Sequence, residues 1–129
     1  GEEWQEVDVF QLVNALAEKK TSDALVFLKR LLEDNERDFI GLLGILHWQM
    51  RRLWLAKLLQ EEGRSERDIA SACRISPRQM SYFVKQLRSF TSKKIEKAIE
   101  GLFQLDWKSK TGQAEGALEM ERWVVTLTS

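Results

Sequence analysis

Residues 65–87 read S-E-R-D-I-A-S-A-C-R-I-S-P-R-Q-M-S-Y-F-V-K-Q-L. Two short helices joined by a tight turn account for this pattern. Ser65 offers a hydroxyl to cap the first, and Glu66 and Asp68 put negative charge in its first turn, where the helix dipole favours it. Ile69, Ala70 and Cys73 share one face at helical spacing. Ser76 followed by Pro77 predicts the start of the second helix. A capping hydroxyl precedes a residue whose fixed φ suits the first helical position and whose missing N–H is not needed there. Met80, Phe83, Val84 and Leu87 form its apolar stripe, and Arg78, Gln79, Tyr82, Lys85, Gln86 and Arg88 its polar face. Arg74 enters the turn, where Gly or Asn would suit a positive φ better. This is the outline of a helix-turn-helix, which serves either to read DNA or to turn a corner between core helices.

Before this segment, Asp8 is placed to cap a helix carrying Val9, Phe10, Leu12, Val13 and Leu16, which leaves residues 1–7 as a flexible lead-in. Lys19, Lys20 and Thr21 make a link, and Ser22 is the expected cap of a second helix with Leu25, Leu28, Leu31 and Leu32 as its stripe, Ala24 and Phe27 alongside. The polar run 33–38 ends it. A long helix over 38–62 follows. Its first half is apolar nearly all round (Phe39, Ile40, Leu42, Leu43, Ile45, Leu46, Trp48), a pattern expected of a helix buried on most sides. Its second half sets Leu53, Trp54, Leu58 and Leu59 against Arg51, Arg52 and Lys57, and Gly63 is the stop. After the helix-turn-helix, Thr91 or Ser92 caps a helix with Ile95, Ala98, Ile99, Leu102, Phe103 and Leu105 as its apolar positions. A last helix over 113–127 turns Ala117, Leu118, Met120, Val124 and Leu127 inward. No strand pattern remains. The fold class is all-α: one bundle of six or seven helices over 8–129, with a long central helix and an internal helix-turn-helix-like corner.

Composition supports helix. The 129 residues include one Pro and seven Gly, with 43% hydrophobic and 31% charged side chains, ordinary for a globular domain. The longest apolar stretch, 39–46, is too short to span a bilayer, so no membrane association is expected. No charged-then-apolar leader opens the chain, and a single Cys leaves no internal disulfide. Both fit a protein of the reducing cytoplasm. Net charge is zero but unevenly spread. Residues 1–63 hold 8 basic and 12 acidic side chains, 64–97 hold 9 and 3, and 98–129 hold 3 and 5. The basic block coincides with the helix-turn-helix and the start of the next helix, so it faces an anion, an acidic partner or the acidic flanks of its own fold.

Catalytic motifs are not legible. Neither G-x-x-x-x-G-K-[ST] nor G-x-G-x-x-G occurs, so no nucleotide loop is expected. Gly41 and Gly44 are read as letting a neighbouring helix approach. His47 is the only histidine, and with one cysteine, Cys73, read as core, it makes neither a zinc set nor a nucleophile pair. No catalytic residue, metal or cofactor is expected. Asp106 and Lys110, four apart, should pair. Among the tryptophans Trp48 reads as core. Trp107 and Trp123 sit late in the chain beside polar neighbours, as anchors of a partner interface do.

Taken in order, V-F-Q-L-V-N-A-L, S-D-A-L-V-F-L-K-R-L-L, R-R-L-W-L-A-K-L-L-Q-E-E-G, D-I-A-S-A-C-R-I-S-P-R-Q-M-S-Y-F-V-K-Q-L, F-T-S-K-K-I, the trio Leu102, Asp106 and Lys110, and A-L-E-M-E resemble a known family. It is the C-terminal domain of the bacterial DNA polymerase III delta subunit, and the resemblance runs from Val9 to about Leu127. Arg74 stands where that family usually has Gly, and Ala72 and Cys73 replace its common apolar pair. The resemblance implies a part in the clamp loader, which opens the sliding clamp and places it on primed DNA. In that family the domain packs with the delta-prime and gamma/tau-type subunits into a helical collar. Contact with the clamp belongs to N-terminal domains absent here, and DNA is met only indirectly. The implied role is oligomerisation in DNA replication, without catalysis. Charge asymmetry suits a ring of unlike neighbours, so the 64–97 segment, with Arg78, Lys85 and Arg88, is expected to meet an acidic face of an adjacent collar domain or the loader's DNA-facing side. The alternative is a DNA-binding regulator whose helix over 77–88 reads the major groove with Arg78, Gln79, Tyr82, Lys85 and Arg88.

Overall fold

Among the described residues seven helices build the fold: α1 (Glu2–Ala17), α2 (Thr21–Asp34), α3 (Phe39–Glu61), α4 (Glu66–Ala72), α5 (Met80–Ser89), α6 (Ser92–Lys110) and α7 (Gly116–Thr128). The computed structural model describes residues 2–34, 39–113 and 115–129, and no strand occurs among them. The all-α reading thus holds, with the long central helix as α3. Helix α1 folds back on α2, α2 packs on α7, α7 on α6, α6 on α3, α3 on α5, and α5 on α1. Six helices therefore close a ring, and α4 hangs from α3. Leu12 and Leu16, Leu28 and Leu31, Leu46, Met50 and Leu53, Phe83, Ile95 and Leu102, and Val124 meet inside that ring, all fully buried.

Boundaries differ from the sequence reading where caps were inferred. Helix α1 begins at Glu2, so Asp8 lies within the helix and does not cap it, and no break in the helix marks residue 7. Ser22 likewise sits one residue inside α2. Residues 35–38 of the polar run lie outside the described residues. Helix α5 begins at Met80, not at Ser76. The Gln79 and Met80 amides donate to Ser76 O and Pro77 O, so an i→i+3 turn leads into it. Helix α7 begins at Gly116, three residues late. Two expected caps are in place: Ser65 accepts from Asp68 N at 3.1 Å, and Thr91 from Lys94 N at 3.1 Å.

Four helices end alike. After α1, α3, α4 and α6 the amides of Lys20, Arg64, Ile75 and Gln113 reach back to Ala15, Leu59, Ala70 and Lys108 O. Lys19, Gly63, Arg74 and Gly112 take the positive φ this closure requires, at 58°, 83°, 56° and 73°. Gly63 is the stop that was expected. Arg74 holds a conformation that costs a residue with a Cβ about 1–2 kcal/mol, against about 0.5–1 kcal/mol of added chain entropy for Gly. Replacing Arg74→Gly should therefore stabilise the fold by about 0.5–1 kcal/mol, read as a higher urea midpoint at unchanged m-value.

Candidate partner interface on α3 and α6

Long helix α3 has a core face at strict helical spacing: Leu42, Leu46, Gln49, Leu53 and Ala56, all buried. Its first half is not buried on most sides, as the apolar run suggested. Ile40 is 72% exposed, and Trp48, expected in the core, is 42% exposed. Gly44 admits no neighbour either, since a Cβ there would meet nothing within 4 Å. The close approach is at Gly101 instead, where a Cβ would lie 2.8 Å from Trp123 Cδ1.

The outward stripe of α3 runs through Ile40, His47, Arg51, Trp54 and Leu58. Beside it α6 presents Phe103, 59% exposed, and Trp107, 66% exposed. Phe103 was read as one of the apolar positions of its helix. Helix α6 buries Ile95, Ala98, Leu102 and Leu105, and the step from 102 to 103 carries Phe103 round to the outer edge. There its ring lies 4.7 Å from that of His47, centroid to centroid. Arg51, Trp54, Ile99 and Phe103 line a groove of about 660 Å³ whose rim carries Glu96 and Glu100. Burial first, and the Arg51 charge second, hold the His47 imidazole below its ordinary value. Periodicity showed which of these residues share a face. It does not say whether the chain itself covers that face.

Trp123 leaves the list of interface anchors. It is 5% exposed, and its indole N–H donates to Ala98 O at 3.0 Å across the α6–α7 contact. Leu118, expected inward, is exposed. Asp106 and Lys110 pair at 3.1 Å as their spacing required.

The helix-turn-helix face is divided. Tyr82, Lys85 and Arg88 lie along the solvent side of α5, Arg78 is exposed in the turn before it, and Gln79 is half-buried. Lys85 stands 3.8 Å from Glu18, whose carboxyl is held below the usual range by a hydrogen bond from Lys20 first and by the charges of Lys20 and Lys85. Gln86, read as part of the polar face, is fully buried, and so, nearly, is Arg52 of α3. Gln49 Nε2 donates to Gln86 Oε1 at 2.9 Å, and Gln86 Nε2 to Phe10 O at 3.2 Å. Arg52 donates to Gln49 Oε1 through Nε, at 3.1 Å, and through Nη2. Both amides sit on core stripes, Gln86 between Phe83 and Phe90 and Gln49 between Leu46 and Leu53. That register was the signal the residue types concealed. Cys73 is core, as expected, and its thiol donates to Arg52 O at 3.7 Å. No group of metal-binding side chains occurs among the described residues, and none of their helices is long and apolar enough to cross a membrane.

The family model for the DNA polymerase III delta subunit, C-terminal domain, matches residues 6–127. The chain belongs to this family. The DNA polymerase III subunit delta of Bacillus subtilis (strain 168) is 27% identical over 122 residues, which are 95% of this chain and 35% of that protein. The solved Bacillus subtilis DNA clamp loader delta protein superposes with a TM-score of 0.82 at 27% identity, over 96% of this chain and 36% of the other. This chain thus spans about a third of the length of the relatives it matches. The delta-family resemblance read from the ordered helical segments is thereby confirmed, along with the all-α fold it implied.

Two measurements separate surface from core. Trp123→Ala should cost about 3–5 kcal/mol in urea unfolding, as expected for a buried aromatic, while Trp107→Ala stays within about 0.5 kcal/mol. His47 favours its neutral form in the fold, so the unfolded chain takes up its proton first as pH falls. Stability should drop as pH passes down through about 6.5, the ordinary histidine value, and level off below the lowered native value. Urea midpoints at pH 7.5 and 5.5 check this, and His47→Gln should remove that component.

Proposed function

We propose that this chain is a non-catalytic assembly domain of a clamp-loader delta subunit. It packs with delta-prime and gamma/tau-type subunits in a helical collar, serves sliding-clamp loading in the cytoplasm, and leaves contact with the clamp to other parts of the subunit. The observation that carries the reading is the outward face of α3 and α6. Five large apolar side chains, Ile40, Trp54, Leu58, Phe103 and Trp107, lie on two adjacent helices within one family of loader proteins. Such a face, aromatic at its centre with charges at its rim, is the composition of a protein interface core. In this reading Ile40, Phe103 and Trp107 supply most of the binding energy. Arg78, Lys85 and Arg88 act at longer range, on association rate and choice of neighbour.

A DNA-reading regulator is the weaker reading. Lys85 already shares its charge with Glu18 and Gln79 is half-covered, which leaves Arg78, Tyr82 and Arg88 of the expected reading set.

Co-purification with the other subunits of a clamp loader tests the proposal. Phe103→Ser with Trp107→Ser should weaken assembly by 30-fold or more, the loss of one hot spot of about 2 kcal/mol, and leave the fold intact by circular dichroism. Charge reversal at Arg78, Lys85 and Arg88 should change the salt dependence of assembly with a smaller loss of affinity. Unchanged assembly in the double variant would overturn the assignment of the interface, and absence of any loader subunit from the wild-type complex would overturn the function.

A further inference from the structure

The side of α6 turned toward α7 carries a different chemistry. A groove of about 550 Å³ runs between the two helices, lined by Lys93, Lys94, Lys97 and Lys108 of α6, Arg122 of α7 and Lys19 at the end of α1. Six cationic side chains face one acidic side chain, that of Glu119, and it is already held by Arg122 at 3.1 Å and Lys108 at 3.8 Å. Lys94 Nζ donates to Leu16 O at 3.2 Å and lies 5.5 Å from the Phe90 ring centroid. Lys19, Lys93 and Lys97 have no carboxylate in ion-pair range among the described residues. Lys93 and Lys97 stand one helical turn apart, about 6 Å along the axis at 1.5 Å per residue. The ammonium of Lys94 is pushed down from its ordinary value by burial first and by the neighbouring Lys19 charge second.

We propose that the α6–α7 groove binds the phosphodiester backbone of a nucleic acid strand. The composition of the groove selects that occupant over an acidic protein surface. Protein interfaces are depleted in Lys and enriched in exposed aromatics. This groove is lysine-rich, and its one aromatic, Trp123, is buried with its N–H spent on Ala98 O. Thr91 and Thr126 add hydroxyls of the kind that contact phosphate oxygens. With no aromatic free to stack a base, binding is independent of sequence and electrostatic. The groove lies on another side of α6 from Phe103 and Ile99, meeting the α3–α6 apolar groove at Gln104 alone, and shares no lining residue with the helix-turn-helix face.

Fluorescence anisotropy of the 129-residue chain with labelled dT20 and with a 20-bp duplex tests it at 50–200 mM salt. The expected result is binding in the micromolar range at 50 mM, with a log–log salt slope of about −2 to −3 for three neutralised phosphates. Lys19→Gln, Lys93→Gln and Lys97→Gln together should weaken binding at least tenfold and flatten the slope. The matching Arg triple should retain binding, which guards against a folding defect, as does an unchanged thermal melt. Glutamine at Arg78, Lys85 and Arg88 should leave affinity within twofold. The proposal is overturned by no binding to either probe at 50 mM salt, by a Gln triple that binds like wild type, by loss through the α5 variant instead, or by poly-glutamate competing as well as dT20.

Discussion

A buried bridge of two side-chain amides holds the arrangement together. Gln49 of α3 and Gln86 of α5 hydrogen-bond to each other, and Gln86 passes the link to Phe10 O of α1. Three helices far apart in sequence are thereby fixed in rotation, because an amide donates and accepts only in its plane and along its length. A purely apolar contact would tolerate a slide of α3 by part of a turn. This one does not, since displacement would leave buried polar groups without partners, at about 1–3 kcal/mol each. The Arg52 guanidinium completes the junction. It donates to Gln49 Oε1 and lies 3.7 Å from the Trp48 ring centroid, 5.4 Å from that of Phe10 and 5.9 Å from that of Phe83. Trp48 is therefore a lid on a buried cation, which explains why it is neither core nor fully exposed.

The rotation of α3 decides the surface. With Gln49 turned inward, Leu42, Leu46, Leu53 and Ala56 follow it, and Ile40, His47, Arg51, Trp54 and Leu58 must face out. Helix α6 packs beside it and brings Phe103 and Trp107 to the same side. The outward face is thus a consequence of the internal junction.

Much of this was legible in the chain. Helix order, the Ser65 and Thr91 caps, the Gly63 stop, the apolar stripes and the Asp106–Lys110 pair all follow from local rules, because each depends on residues within one or two turns. The misreadings share a cause. Gln86 and Arg52 were assigned by residue type to polar faces and Gln49 was given no role, although register put the two amides on core stripes. Trp48 and Leu118 were assigned inward by type, although burial depends on which neighbour arrives. Trp123 was read as a surface anchor because its sequence neighbours are polar, yet Gly101 opposite leaves the slot that its indole fills. Helix starts slipped at Asp8, Ser22 and Ser76, where a hydroxyl or carboxylate was taken for a cap without a measure of what lay beside it.

Helix α6 shows why one amphipathic stripe is too coarse a description here. At 100° per residue its 19 positions divide into three faces, each about a third of a turn wide. Ile95, Ala98, Leu102 and Leu105 point into the ring. Ile99, Phe103 and Trp107 join the outward stripe of α3, and Lys93, Lys97, Gln104 and Lys108 line the groove toward α7. A helix serving only its own core would leave two of these faces to ordinary mixed polar residues. Here one is aromatic and the other is cationic, so apolar and electrostatic surfaces are kept apart on a single element. In the proposed assembly that division would leave the lysines in water while the aromatic side is covered, where burying them would cost several kcal/mol per unpaired charge.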